Sequence, residues 1–302
     1  MRKIVECVPN FSDGRRKEVI DQIAEAIATV PGVHVLDVQS DADHNRTVVT
    51  FAGEPEAVEE AAFRGIEKAA ELIDMDLHRG EHPRMGATDV VPFVPIRGVT
   101  MEDCVAIARQ LGEQVGRDLD IPVYLYEKAA TRPERRNLAE VRRGEYEEIK
   151  AEIATRPERE PDFGPRHVGK AGATVIGARP PLIAFNVYLG TDDVEVAKAI
   201  ARAVRHSSGG LRYVKALGLL VKGRAQVSMN LTDYRQTPVH RVVEMIRREA
   251  ERYGVAVVES ELIGLIPNAA LVEAAKFYLQ MGGSSSHQIL ENRLADSQGG
   301  IV

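Results

Sequence analysis

A chain of 302 residues that is 44% hydrophobic and has only two cysteines can bury a core without covalent staples, and at about 100–200 residues per domain it divides into two lobes. Cys7 and Cys104 lie far apart with no C-x-x-C spacing, which argues against a disulfide framework or a zinc site and suits a reducing compartment, the cytoplasm. The formal net charge of −6 is spread over segments of mixed sign, no run approaches the ~20 apolar residues of a membrane span, and the opening MRKIVECVPNFSDG breaks its apolar run at Glu6 and Pro9, unlike a secretion signal. Nucleic acid and membrane are thus excluded as the main partner, and a small-molecule ligand is expected.

Runs rich in Val and Ile predict strands at 3–9, 33–39, 46–52, 91–96 and 122–126. Amphipathic segments between them predict helices. Arg16 to Thr29 carries Val19, Ile20, Ile23, Ala26 and Ile27 at helical spacing and ends at Pro31-Gly32. Pro55 to Ile73 places Val58, Ala61, Ala62, Ile66 and Ala69 on one face. A third helix starts after Thr100, whose hydroxyl can cap it with Asp103 three residues on. Residues 127–161 are dense in Arg and Glu and predict exposed, salt-bridged helices in a solvated linker.

From Leu182 the pattern restarts. LIAFNVYLGTDDVEVAKAIARAV repeats the order of IVECVPNFSDGRRKEVIDQIAEAI, an apolar strand containing Asn, a polar turn, then an amphipathic helix. A hairpin around Lys222-Gly223 follows, then a helix from Pro238 to Tyr253 and a strand at 255–259. Both halves read strand, helix, strand, strand, helix, strand. The expected fold is therefore α/β (α+β), with two similar ferredoxin-like β-α-β-β-α-β subdomains, 1–178 and 179–302.

The polar, Gly-punctuated stretch RGEHPRMGATD from Arg79 to Asp89 is the most informative in the chain. It places His82 directly before Pro83, which biases the His82 backbone toward extended geometry. A histidine on a loop carried by a sheet is placed for proton transfer, because its unperturbed pKa of about 6.5 lies near working pH. No second ligand sits at metal spacing from it. The turn SDADHNRT offers Asp41, Asp43, His44, Asn45 and Arg46, but it lacks the Gly and the distant Glu of a calcium loop. Its mixed charges suit an amidine and carboxylates. Gly164 to Lys170 spells G-x-x-x-x-G-K, yet Ala171 stands where a nucleotide loop needs a hydroxyl, and a strand-like ATVIGA follows in place of a helix. What remains is a flexible loop whose backbone can approach a flat ligand.

These residues resemble a known family. VECVPNFSDGR at 5–15, NRTVVTFAG at 45–53, LIDMDLHRGEHPRMGATDVVPFVPIRG at 72–98, IPVYLYEKAA at 121–130, PDFGP at 161–165 and GATVIGARPPLIAFNV at 172–187 are similar to glutamate formimidoyltransferase, the formimidoyltransferase part of formimidoyltransferase-cyclodeaminase. The residue spacings give no reason to expect a metal; the resemblance implies two α/β subdomains with a ligand groove between them that encloses tetrahydrofolate as co-substrate, and a homodimer. It makes His82, in GEHPRMG, the catalytic histidine. It places folate on Gly164, Pro165, Arg166, His167, Val168, Gly169, Lys170, Ala171 and Gly172, with a further contact near Gly209. Two departures stand out. The loop GPRHVGKAG is one residue shorter and more basic than its counterpart in the bifunctional enzyme, and Gln39 occupies a position where an acid would assist the histidine, a role open to Asp41 or Asp43. With no cyclodeaminase segment after Val302, ammonia release would fall to a separate cyclodeaminase.

The implied reaction moves the formimino group of N-formimino-L-glutamate to N5 of tetrahydrofolate, with His82 as general acid and base. Arg46, Arg84, Arg179 and Lys170 are the expected grips for carboxylates, and Asn10, Asn45 and Asn186, at strand ends, can orient pterin or amidine. Two other readings stand beside it. One is an enzyme transferring formyl or handling 5-formyltetrahydrofolate. The other is a non-catalytic folate-binding protein, which would have no use for an intact GEHPRMG.

Overall fold

The computed structural model describes residues 2–283 and 288–297, so the ends of the expected subdomains, Met1 and Val302, lie outside the described residues. The chain divides into two compact units, Met1–Arg179 and Pro180–Val302.

In the first unit the strands are β1 (Ile4–Cys7), β2 (Asn10–Phe11), β3 (His34–Asp41), β4 (Arg46–Gly53), β5 (Thr88–Arg97), β6 (Val123–Glu127) and β7 (Thr174–Ala178). The long helices are α1 (Lys17–Ala28), α2 (Pro55–Leu72) and α3 (Met101–Asp118). Seven strands form one sheet. β3 pairs with β4; β1 and β2 share the lane between β4 and β5; β7 then joins β5, and β6 joins β7, both in parallel.

Alternation along the strands sorts the two faces. Val5, Cys7, Val49, Phe51, Val91, Phe93, Val123, Leu125 and Ile176 are buried on the face covered by α1, α2 and α3. The predicted cap of α3 is present in full: the Asp103 N–H donates to Thr100 Oγ1 and the Thr100 N–H donates to the Asp103 carboxylate, which helps set where the helix starts.

The opposite face is where the sequence reading needs correction. Residues 127–161 are not a solvated linker. Two short helices, α4 (Leu138–Val141) and α5 (Glu145–Glu152), bury Val141, Tyr146 and Ile149, and Ile153, at the C-cap of α5, is buried too. Val141, Ile149 and Ile153 pack with Met85, Val90, Tyr124, Tyr126, Ala173 and Val175 in a core of their own. Tyr146, Ile149 and Ile153 are spaced three and four apart, a narrow apolar stripe that charged neighbours obscure. Arg135 is also buried, paired with Asp162 at 2.6 Å and lying over the Tyr124 ring.

The second unit contains β8 (Ile183–Leu189), α6 (Val194–Val204), β9 (Val214–Val221), β10 (Arg224–Leu231), α7 (Val239–Glu251), β11 (Val257–Ile263), α8 (Asn268–Tyr278) and α9 (Leu290–Ser297). Its sheet runs β11-β8-β10-β9, antiparallel throughout. The first unit has the same arrangement in β5-β1-β4-β3, so the duplicated element order is carried into strand pairing. The β9–β10 hairpin turns at Lys222 and Gly223, both at positive φ (49° and 75°), the geometry its right-handed strands favour. No helix among the described residues is long and apolar enough to cross a membrane.

Candidate active site

The loop carrying His82 leaves α2, passes beside the β3–β4 turn and enters β5. Its path is stapled by Asn45, which sits in the left-handed region at φ 49°. The Asn45 amide donates to Arg79 O at 2.9 Å, and its oxygen accepts the Gly14 N–H at 2.9 Å. His78 adds a second staple: it is buried, its Nε2 lies 3.2 Å from Asn45 O, and its Nδ1 accepts the Arg84 Nε–H at 3.3 Å. Nothing in the sequence singles out His78, because a histidine outside the GEHPRMG run carries no spacing signal of its own.

His82 is half-buried. Burial, then the positive charges of Arg46 and Arg142, then His44 and His78, push its pKa down to about 3. Near neutral pH the imidazole is therefore uncharged, with a lone pair available to accept a proton. The His44 ring stands edge-on to it, with centroids 6.5 Å apart. Asp41 holds His44 in turn: one carboxylate oxygen accepts the His44 backbone N–H at 2.8 Å and lies 3.1 Å from His44 Nδ1. Those bonds hold the Asp41 carboxyl below its ordinary pKa. Asp43 meets the loop through its backbone, its carbonyl accepting the Glu81 N–H.

Arg46 stands across the β3–β4 ladder from Asp41 and is half-buried. Arg84 is different. Its Nη1 donates to Glu145 at 2.7 Å and to Glu147 at 2.9 Å, and its Nη2 donates to Glu147 at 2.7 Å. With Nε on His78 as well, this guanidinium is committed within the protein and serves as a clamp, not as the substrate grip the sequence suggested. Asn10 lies between Val48 and Val90 and bonds Val8 O. Arg179, just past β7, donates its backbone N–H to Phe93 O and lies near Glu6 and Tyr126.

The second loop, from Gly164 to Gly172, ends against the first. Its carbonyls at Lys170 and Ala171 accept the N–H groups of Met75 and Ala87, and the Ala173 N–H donates to Met85 O. Gly86 and Gly172 form a backbone bridge so tight that a Cβ on Gly172 would fall 2.4 Å from the Gly86 Cα. Val168 is half-buried, while Gly164, Arg166, His167, Gly169 and Lys170 are exposed and Pro165 and Ala171 half-buried. Arg166 reaches toward Glu160 at 3.9 Å, and His167 toward Asp120 at 3.2 Å. In the second unit, Asn186 donates to Glu261 at 3.1 Å, and Gly209 closes a short 3-10 turn at φ 94°.

An uncharged loop histidine among arginines, carried by a duplicated α/β frame, defines a site suited to moving a proton in anionic substrates. The chain belongs to the formiminotransferase family: residues 4–179 match the Formiminotransferase domain, N-terminal subdomain, and residues 184–294 match the Formiminotransferase domain. It is 52% identical over 294 residues to a glutamate formimidoyltransferase of Thermoplasma acidophilum, covering 96% of this chain and 97% of that one. It is 49% identical over 298 residues to a glutamate formimidoyltransferase of Streptococcus pyogenes, covering 97% and 99% respectively. Against a formimidoyltransferase-cyclodeaminase of Mus musculus the identity is 48% over 287 residues, and there the match spans 53% of the longer protein.

Proposed function

We propose that this chain transfers the formimino group of N-formimino-L-glutamate to N5 of tetrahydrofolate, releasing L-glutamate, with His82 as the proton-transfer group. The placement of His82 carries the reading of its role: it is half-buried on a loop stapled by Asn45 and His78, edge-on to His44, where burial and the charges of Arg46 and Arg142 keep the imidazole uncharged. A neutral imidazole can take the proton from N5 as that nitrogen attacks the amidine carbon, then return it to the departing glutamate nitrogen. Holding donor and acceptor together contributes further, as orientation commonly does.

Arg46, beside His82, suits a donor carboxylate, and Arg179 a second one. Arg166 and Lys170 are exposed on the loop and suit the anionic glutamyl tail of folate. The tight backbone meeting of Gly86 and Gly172 supports the assignment of residues 164–172 to folate, because it ties that loop to the one bearing His82. Asn10, Asn45 and Asn186 are assigned from their places at strand ends, and Gly209 by resemblance alone. A cytoplasmic homodimer completes the proposal, and both buried thiols, Cys7 and Cys104, suit a reducing setting. Incubating the protein with N-formiminoglutamate and tetrahydrofolate and following 5-formiminotetrahydrofolate tests the reading; absence of product would overturn it.

A further inference from the structure

The segment with the least promising sequence, the Arg- and Glu-rich run after β6, holds the loop that bears His82 at several points. The Tyr146 N–H donates to Arg84 O at 2.9 Å. Glu145 and Glu147 take the Arg84 guanidinium between them. Arg142 closes on one oxygen of Asp89, whose other oxygen accepts the Met85 N–H at 2.9 Å. Residues 84, 85 and 89 are thus tied down from 142 to 147.

The Arg142–Asp89 pair differs from the Arg84 clamp. Asp89 is buried, and Arg142 Nε is buried with no hydrogen-bond partner among the described residues. An unmet buried donor weakens folding, so its presence points to a purpose other than stability. We propose that Arg142, anchored by Asp89, is a positioning residue for formimino transfer, fixing the His82 loop and setting a positive charge beside the imidazole. The inference rests on His82 being the proton-transfer group.

The charged groups around His82 come from every neighbouring element. Arg46 comes from β4, Arg142 from the turn after α4, His44 from the β3–β4 turn and His78 from the same loop. Asp41 offsets Arg46 and His44, and Asp89 offsets Arg46 and pairs with Arg142. With these cations in place the free imidazole stays a base. Arrival of a dicarboxylate donor adds negative charge to the cluster and strengthens the imidazole's hold on a proton at the moment it must take one.

The test compares the pH dependence of kcat and kcat/KM for wild type, Arg142→Met and Arg142→Lys, with His82→Ala alongside. Arg142→Met is expected to lower kcat roughly ten- to a hundredfold through a misplaced loop, and to move the acidic limb of kcat/KM up by about one pH unit. Arg142→Lys should return the limb toward its wild-type position while leaving kcat below wild type, because an ammonium keeps the charge but not the fork. A folded Arg142→Met with wild-type kcat and limb would overturn the proposal. Should that variant not fold, wild-type kcat in Arg142→Lys would overturn it instead. Wild-type activity in His82→Ala would remove the reading beneath it, an outcome distinct from both.

Discussion

Replacing His82 with asparagine should make the protein relatively more stable in mild acid, and the size of the effect follows from the burial of the imidazole. In the folded chain its pKa is about 3, against about 6.5 in an unfolded chain. Between those values the unfolded state binds a proton that the folded state refuses, so stability falls as pH drops from about 6.5 toward 3 and is level outside that window. At pH 5 the full shift corresponds to a loss of about 2 kcal/mol, and the partial exposure of the ring reduces this to about 1–2 kcal/mol. An asparagine side chain, which does not titrate, has no such loss. Calorimetric melting of wild type and His82→Asn at pH 7.5 and at pH 5 isolates the effect, since other titrating groups are common to both proteins. The gap in Tm should move in favour of the variant at pH 5, by roughly 2–4 °C for each kcal/mol. A gap that is the same at both pH values would show that the imidazole is not held uncharged, and the electrostatic account of the site would fail with it.

The Arg84 clamp should respond asymmetrically. Arg84→Met leaves Glu145 and Glu147 with side chains 39% and 60% exposed, free to be solvated, and should cost about 1–2 kcal/mol. The double change Glu145→Gln with Glu147→Gln strands a cation whose side chain is 8% exposed and should cost about 3–5 kcal/mol in urea denaturation; equal costs would contradict the assignment. Gly172→Ala, at φ 76° with its Cβ 2.4 Å from both Gly86 Cα and Met85 O, should cost more than about 4 kcal/mol. Gly169→Ala, with nothing within 4 Å of its Cβ, should stay within about 0.5 kcal/mol on the same thermal assay.

Much of the frame was legible because local signals agreed with packing. The strand at 46–52, the Thr100 cap and the Lys222-Gly223 hairpin each have one strong physical cause, and each stands in the structure as expected. The charged segment did not read correctly, because the density of Arg and Glu outweighed a stripe of only three residues, Tyr146, Ile149 and Ile153. That error carried into the site. Arg84 looked free only because its partners, Glu145 and Glu147, were placed in a linker, and the electrostatic influence of Arg142 on His82 depends on a tertiary approach that no spacing encodes. β11 continues to Ile263, and α8 and α9 follow it; these lie beyond the repeated pattern that the sequence displays.

That His82 moves the proton in formimino transfer is tested most directly by the rate at which wild type and His82→Ala form 5-formiminotetrahydrofolate from N-formiminoglutamate and tetrahydrofolate, with folate affinity measured on the same preparations. The expected result is a kcat lower by about a hundredfold or more, with folate affinity barely changed. A kcat near wild type in His82→Ala would contradict it.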